Sequence, residues 1–138
     1  MEQFHFHSGS EHTINGERFD LEMMSVLSPL KNGTYQYSHT SAVEGAISIL
    51  FSVDSYTVDF SPRQQSIIDN FFDQLKWEDT SSPTVDKISY SDLMELVDFS
   101  NRFVYQGSLT TPPCRTLIYR NVLSTVYPIS QKHLDQFK

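Results

Sequence analysis

One cysteine and one tryptophan are all that these 138 residues contain of either type, and basic residues are scarce. With Cys114 as the sole cysteine there is no internal disulfide, so stability has to come from an apolar core, which a chain of this length can bury. Ten Lys and Arg stand against seventeen Asp and Glu, a formal net charge of −7, and this balance argues against nucleic acid or an anionic membrane as partner. No apolar run approaches the length of a membrane span, and the first residues do not form a signal peptide. Repeats and low-complexity tracts are absent, and the polar run at 79–83 reads as one surface loop.

The most informative stretch present is Gln3-Phe4-His5-Phe6-His7. Side chains alternate across a strand with period 2, so His5 and His7 project together while Phe4 and Phe6 point into a packed layer. Two adjacent neutral imidazoles make half of a metal site, zinc being a frequent occupant of histidine-rich sites, although such a pair also occurs incidentally on surfaces. Farther on runs Tyr105-Gln106-Gly107-Ser108-Leu109-Thr110-Thr111-Pro112-Pro113. Pro112 restricts Thr111 to extended geometry, Gly107 permits a close backbone path, and two hydroxyls before two prolines give a rigid, hydrogen-bonding loop of the kind that lines sites.

Between these motifs the pattern is coherent. Residues 45–53 are mostly apolar and rich in β-branched types, as in a buried strand. Ser61-Pro62 opens a helix with serine as cap, and Ile67, Ile68, Phe71, Phe72 and Leu75 give it one apolar, core-packing face. Ser91 is expected to cap a shorter helix with Leu93, Met94, Leu96 and Val97 inward.

Taken together, QFHFH, GSEHT and YQGSLTTPPC resemble the α-class carbonic anhydrase family. The resemblance implies a mostly β fold with short helices, the central part of that family's large twisted, mainly antiparallel sheet, with zinc on three histidines. It implies His5 and His7 as the first two ligands, oriented by Gln3. Glu11 and Thr110 match the pair in which a carboxylate takes the threonine proton. Thr111 matches a substrate-side threonine, Val26 and Ile47 the apolar wall, and His12, Glu22 and Tyr105 buried polar supports.

The third ligand is missing. Where the family reads Glu-Leu-His-Leu-Val-His, this chain reads Glu22-Met23-Met24-Ser25-Val26-Leu27, and ungapped counting from Glu11 puts Met24 at the histidine position. A thioether suits copper(I) better than zinc, so zinc is expected to bind weakly or not at all, and copper(I) on His5, His7 and Met24 less still. On this count Met24→His should raise zinc occupancy. Ser8 replaces one family tryptophan, and Arg120 or Val122, depending on the direction of counting, replaces another in the pocket wall, where a charge would disturb a dry CO2 site.

The expected function is therefore a carbonic-anhydrase-like domain, catalytically impaired or inactive, with a structural or interaction role. The alternative is a zinc-dependent enzyme hydrating CO2 reversibly. Residues 1–138 match only the central half of the family domain. Its outer strands are expected to be supplied by further polypeptide or by another chain. Within the family, a cysteine matching Cys114 pairs with an N-terminal one in extracellular members; with the sequon Asn32-Gly33-Thr34 this leans toward an oxidising compartment. His39 and His133 read as surface histidines.

Overall fold

The computed structural model describes residues 3–27, 45–55, 60–75, 88–114 and 116–138. The sequon, His39 and the polar run at 79–83 lie outside these residues.

Five strands form one sheet in the order β1-β4-β5-β7-β6: β1 Gln3–Ser8, β4 Leu21–Leu27, β5 Gly45–Ser52, β6 Arg102–Ser108 and β7 Thr116–Pro128. Three of the pairings are antiparallel, and β5 runs parallel to β7. A parallel pair needs a long crossover, and the intervening chain carries helices α1, Pro62–Asp73, and α2, Tyr90–Leu96. Strands β1 and β6 are the two edges of this sheet. A small hairpin, β2 Thr13–Ile14 with β3 Glu17–Arg18, links β1 to β4. Its tip is Asn15-Gly16 with φ of 53° and 83°, the left-handed pair that a two-residue hairpin requires.

The two faces of the sheet differ sharply. On one, Leu21, Met23, Ile49, Phe51, Leu123 and Tyr127 pack with Ile68, Phe71, Phe72 and Leu93 of the helices into the main core. Phe4 and Phe6 join it at the edge, so β1 alternates as the sequence demands. Helix α1 starts as expected: Ser61 accepts from the Gln64 backbone, the Gln64 side chain returns to the Ser61 N–H, and Pro62 occupies the first turn. Helix α2 begins earlier than expected. Its N-cap position is Ser89, whose side chain is held by Gln74, and Ser91 lies inside the helix.

His133 corrects a second expectation. It is 3% exposed rather than on the surface, because α3, Gln131–Leu134, folds it against α1. There it stacks on Phe72, with Nε2 2.9 Å from Asp73 Oδ1 and Nδ1 2.8 Å from Ser130 Oγ. Phe72 thus meets rings from β1, β5, α1 and α3. Phe72→Ala is expected to cost about 3–5 kcal/mol through lost transfer energy and a cavity, read as a lowered urea midpoint at unchanged m.

Candidate functional site

The second face of the sheet carries the site. His5 sits opposite Met24, and Met24 opposite Ser48, so all three side chains share this face. Two residues along, Val26 lies beside Ala46, and Ala46 beside Arg120 of β7. A small apolar cluster of Met24, Ala46 and Ile118 with Leu109 forms its floor. Val26 belongs to this face as expected. Ile47 does not: pleat alternation turns it to the helix side, where it packs against the main core.

His5 and His7 project together with ring centroids 5.1 Å apart in an edge-on arrangement. Burial, and after it the His7 ring, lowers the His5 pKa, and Arg120 adds to the effect while Glu11 opposes it. His7 Nε2 lies 3.7 Å from Glu11 Oε2 and has no hydrogen-bond partner. Gln3 precedes His5 on the same face but is exposed, and among the described residues no hydrogen bond joins the two.

Glu11 and His12 are brought over this face by a tight return of the chain. Gly9 N donates to Asp20 O and Ser10 N to Phe19 O, while the Ser10 hydroxyl accepts from Phe19 N and donates to the His12 carbonyl. The turn places Glu11 within reach of the loop after β6, where Thr110 Oγ1 donates to Glu11 Oε2 at 3.2 Å, although 99 positions separate the two residues. Thr111 lies beside it, exposed, its carbonyl accepting from Cys114 N at 2.8 Å. The Pro112–Pro113 bond is cis, and Cys114 carries a free, exposed thiol.

Behind this contact runs a chain of polar groups. Glu22, 0% exposed, accepts through Oε2 from the backbone N–H groups of Glu11 and His12, and through Oε1 from His12 Nδ1 at 2.6 Å. His12 Nε2 meets the Tyr105 hydroxyl at 2.7 Å. An ionised Glu22 fixes the proton on Nδ1, so a neutral ring accepts from Tyr105. Burial pushes the Glu22 carboxyl up, and the His12 bonds outweigh it, holding the pKa down at about 2. Glu22 is the fully buried support that was expected, whereas Tyr105 is 44% exposed, because β6 is a sheet edge. Its ring passes 2.9 Å from where a Cβ on Gly107 would stand, which explains the glycine.

Arg120 has the largest consequence for this face. Sequence reasoning sets it in the pocket wall; the structure turns it inward at 2% exposed. Its Nη1 lies 2.8 Å from the Met24 sulfur, its Nη2 donates to the Ser108 carbonyl, and its Nε has no partner. A fixed cation therefore sits against the residue at the expected third ligand position. Among the described residues, no group of three or more His, Cys, Asp or Glu side chains converges. Two imidazoles, a thioether and a guanidinium are a donor set unsuited to zinc, and the contact on sulfur also blocks copper(I). The signal in the sequence was a lone arginine inside the apolar strand Leu117-Ile118-Tyr119-Arg120-Asn121-Val122-Leu123.

Residues 1–138 match the eukaryotic-type carbonic anhydrase family. Dioscorin DB3S of Dioscorea polystachya is 29% identical over 135 residues, 97% of this chain and 44% of its own length. A carbonic anhydrase of Pectobacterium atrosepticum is 29% identical over 138 residues, covering 99% of this chain and 48% of the relative. Among solved structures, the α-carbonic anhydrase of Thermovibrio ammonificans with the inhibitor sulfanilamide aligns with a TM-score of 0.67 at 26% identity, over 97% of this chain and 51% of that one. A dioscorin complexed with ascorbate gives 0.62 at 28%, over 96% and 48%. The chain thus spans about half the length of the curated relatives it matches.

Proposed function

From the premise that this chain belongs to the eukaryotic-type carbonic anhydrase family, we propose that it is a carbonic-anhydrase-like domain without zinc-dependent CO2 hydration, serving a binding or structural role. One observation carries the reading: Arg120 Nη1 stands 2.8 Å from the sulfur of Met24, at the position expected for the third ligand. A divalent ion on His5 and His7 alone would face that guanidinium, and like charges in a low-dielectric site repel strongly. The polar chain of Glu22, His12 and Tyr105 then acts as scaffold, tying the turn at Glu11 and His12 to the far edge of the sheet.

A second reading, the zinc enzyme, is favoured by the Glu11–Thr110 contact and by the pairing of His5 with His7. In that reading His5 and His7 are ligands, Glu11 and Thr110 are the catalytic pair, and Thr111 and Val26 border the substrate. One measurement separates the two. Purified full-length protein is expected to hold well under one zinc per chain and to leave CO2 hydration at the uncatalysed rate by stopped flow. Stoichiometric zinc that resists mild chelation overturns the first reading.

We also propose that further polypeptide, from the same chain or another, pairs with the edge strands β1 and β6. Phe103, Val104 and Tyr105 of β6 are exposed, with Phe103 at 55%, and an apolar edge of this kind favours pairing. No helix among the described residues is long and apolar enough to cross a membrane. An oxidising compartment, the reading that Cys114 and the sequon suggest, is tested by mass spectrometry of Cys114 in protein from its native source.

A further inference from the structure

Two buried polar atoms on the site face have no hydrogen-bond partner: Arg120 Nε and His7 Nε2. Such atoms are rare in folded proteins, and each calls for an occupant that supplies the missing bond. Arg120 carries a full charge at 2% exposure, and among the described residues no carboxylate lies within ion-pair distance of it. Of its five N–H groups, the contacts with Met24 and Ser108 use two, leaving Nε–H and one hydrogen on each terminal nitrogen. Nε–H and an adjacent terminal N–H form the fork that a planar anion meets with two oxygens. His7 adds a ring N–H on the same face, through the register His7 to Glu22 and Ala46 to Arg120.

We propose that Arg120 and His7 hold a small planar anion, a carboxylate or an oxyanion such as nitrate, on this face of the sheet. The inference rests on the reading that no zinc sits there. The anion supplies the counter-charge that buried Arg120 lacks and accepts the two unspent N–H groups. Glu11, whose Oε2 is 3.7 Å from His7 Nε2 and accepts from Thr110, bounds the site and restricts it to a single small anion. Met24, Leu109 and Ile118 form an apolar floor that rejects a strongly hydrated dianion.

The test uses the full chain, treated with chelator and assayed for metal, and titrated separately with sodium nitrate and sodium formate, with sodium sulfate as control. The Arg120 Nε–H resonance is expected to shift saturably with nitrate or formate and not with sulfate. A response to formate alone assigns the site to carboxylates, and a response to both assigns it to small oxyanions generally. Arg120→Met is expected to weaken binding at least tenfold and to remove the rise in melting temperature that the anions cause in the parent protein. An Arg120 resonance unmoved by 100 mM nitrate and formate in metal-free protein, on the order of the weakest affinity worth assigning, overturns the inference and leaves the zinc-free reading standing. Undiminished affinity in Arg120→Met overturns it too, and stoichiometric zinc overturns both.

Discussion

Met24→His combined with Arg120→Val is expected to bring zinc occupancy close to one per chain, while Met24→His alone stays far below it. The missing histidine by itself suggests a one-residue repair. Arg120 changes that expectation, because its guanidinium lies 2.8 Å from the side chain that the new imidazole would replace. At an effective dielectric near 20 and a separation of roughly 5–6 Å, one guanidinium repels a dication by about 6 kcal/mol, enough to offset most of what a third ligand adds. Valine removes the charge, suits a strand, and is the residue already present on the same face two positions on, at Val122. The double variant is expected to bind zinc at least about a thousandfold more tightly than Met24→His alone, a difference of roughly 4 kcal/mol, read by competition with a chromophoric chelator. Equal affinity in the two variants would show that Arg120 is no obstacle. Folding is not expected to suffer, since replacing a buried, unpaired charge with an apolar side chain is commonly neutral or stabilising by about 1–4 kcal/mol.

The features legible in the sequence are those fixed by local rules. Alternation in β1 puts His5 and His7 on one face and both phenylalanines on the other, and the Ser61-Pro62 start of α1 closes a capping box with Gln64. The contact of Glu11 with Thr110 followed from the family resemblance and not from any local pattern, since 99 positions separate them. What the sequence concealed depends on long-range packing. Arg120 and Met24 are 96 positions apart, and nothing in either strand's pattern says that the arginine turns inward onto the sulfur. Ile47 looked like a wall residue because both faces of β5 are apolar, and in such a strand composition does not reveal which residues face the site. His133 looked exposed because its neighbours Gln131, Lys132 and Asp135 are polar; docking of α3 on α1 supplies acids and a serine that satisfy a buried imidazole. The parallel pairing of β5 with β7 is likewise a property of the crossover, invisible in either strand.

Acid is expected to weaken the fold through one group above others, Glu22. Its carboxylate is completely buried and receives two backbone N–H groups and the His12 ring, which hold its pKa at about 2 against an ordinary 4.5. A carboxyl whose pKa is depressed by folding stabilises the native state above its unfolded value, and that contribution disappears as pH falls through the folded value. The window therefore runs from about pH 4.5 down to about pH 2, and the contribution at neutral pH is on the order of 3 kcal/mol. Glu22→Gln keeps the shape, loses the charge and offers the His12 ring a neutral partner. It is expected to lower stability at pH 7 by a comparable amount, on the order of 3 kcal/mol, and to flatten the dependence on pH across that window. Tyr105→Phe, which removes only the outer, half-wet bond to His12 Nε2, is expected to cost about 1 kcal/mol and to leave the pH profile unchanged. Urea unfolding from pH 7 to pH 2.5 distinguishes them. Parallel stability curves for the parent and Glu22→Gln would mean that the carboxylate's bonds to the turn contribute nothing to folding, and that the turn carrying Glu11 and His12 over the site is held by Ser10 and the hairpin alone.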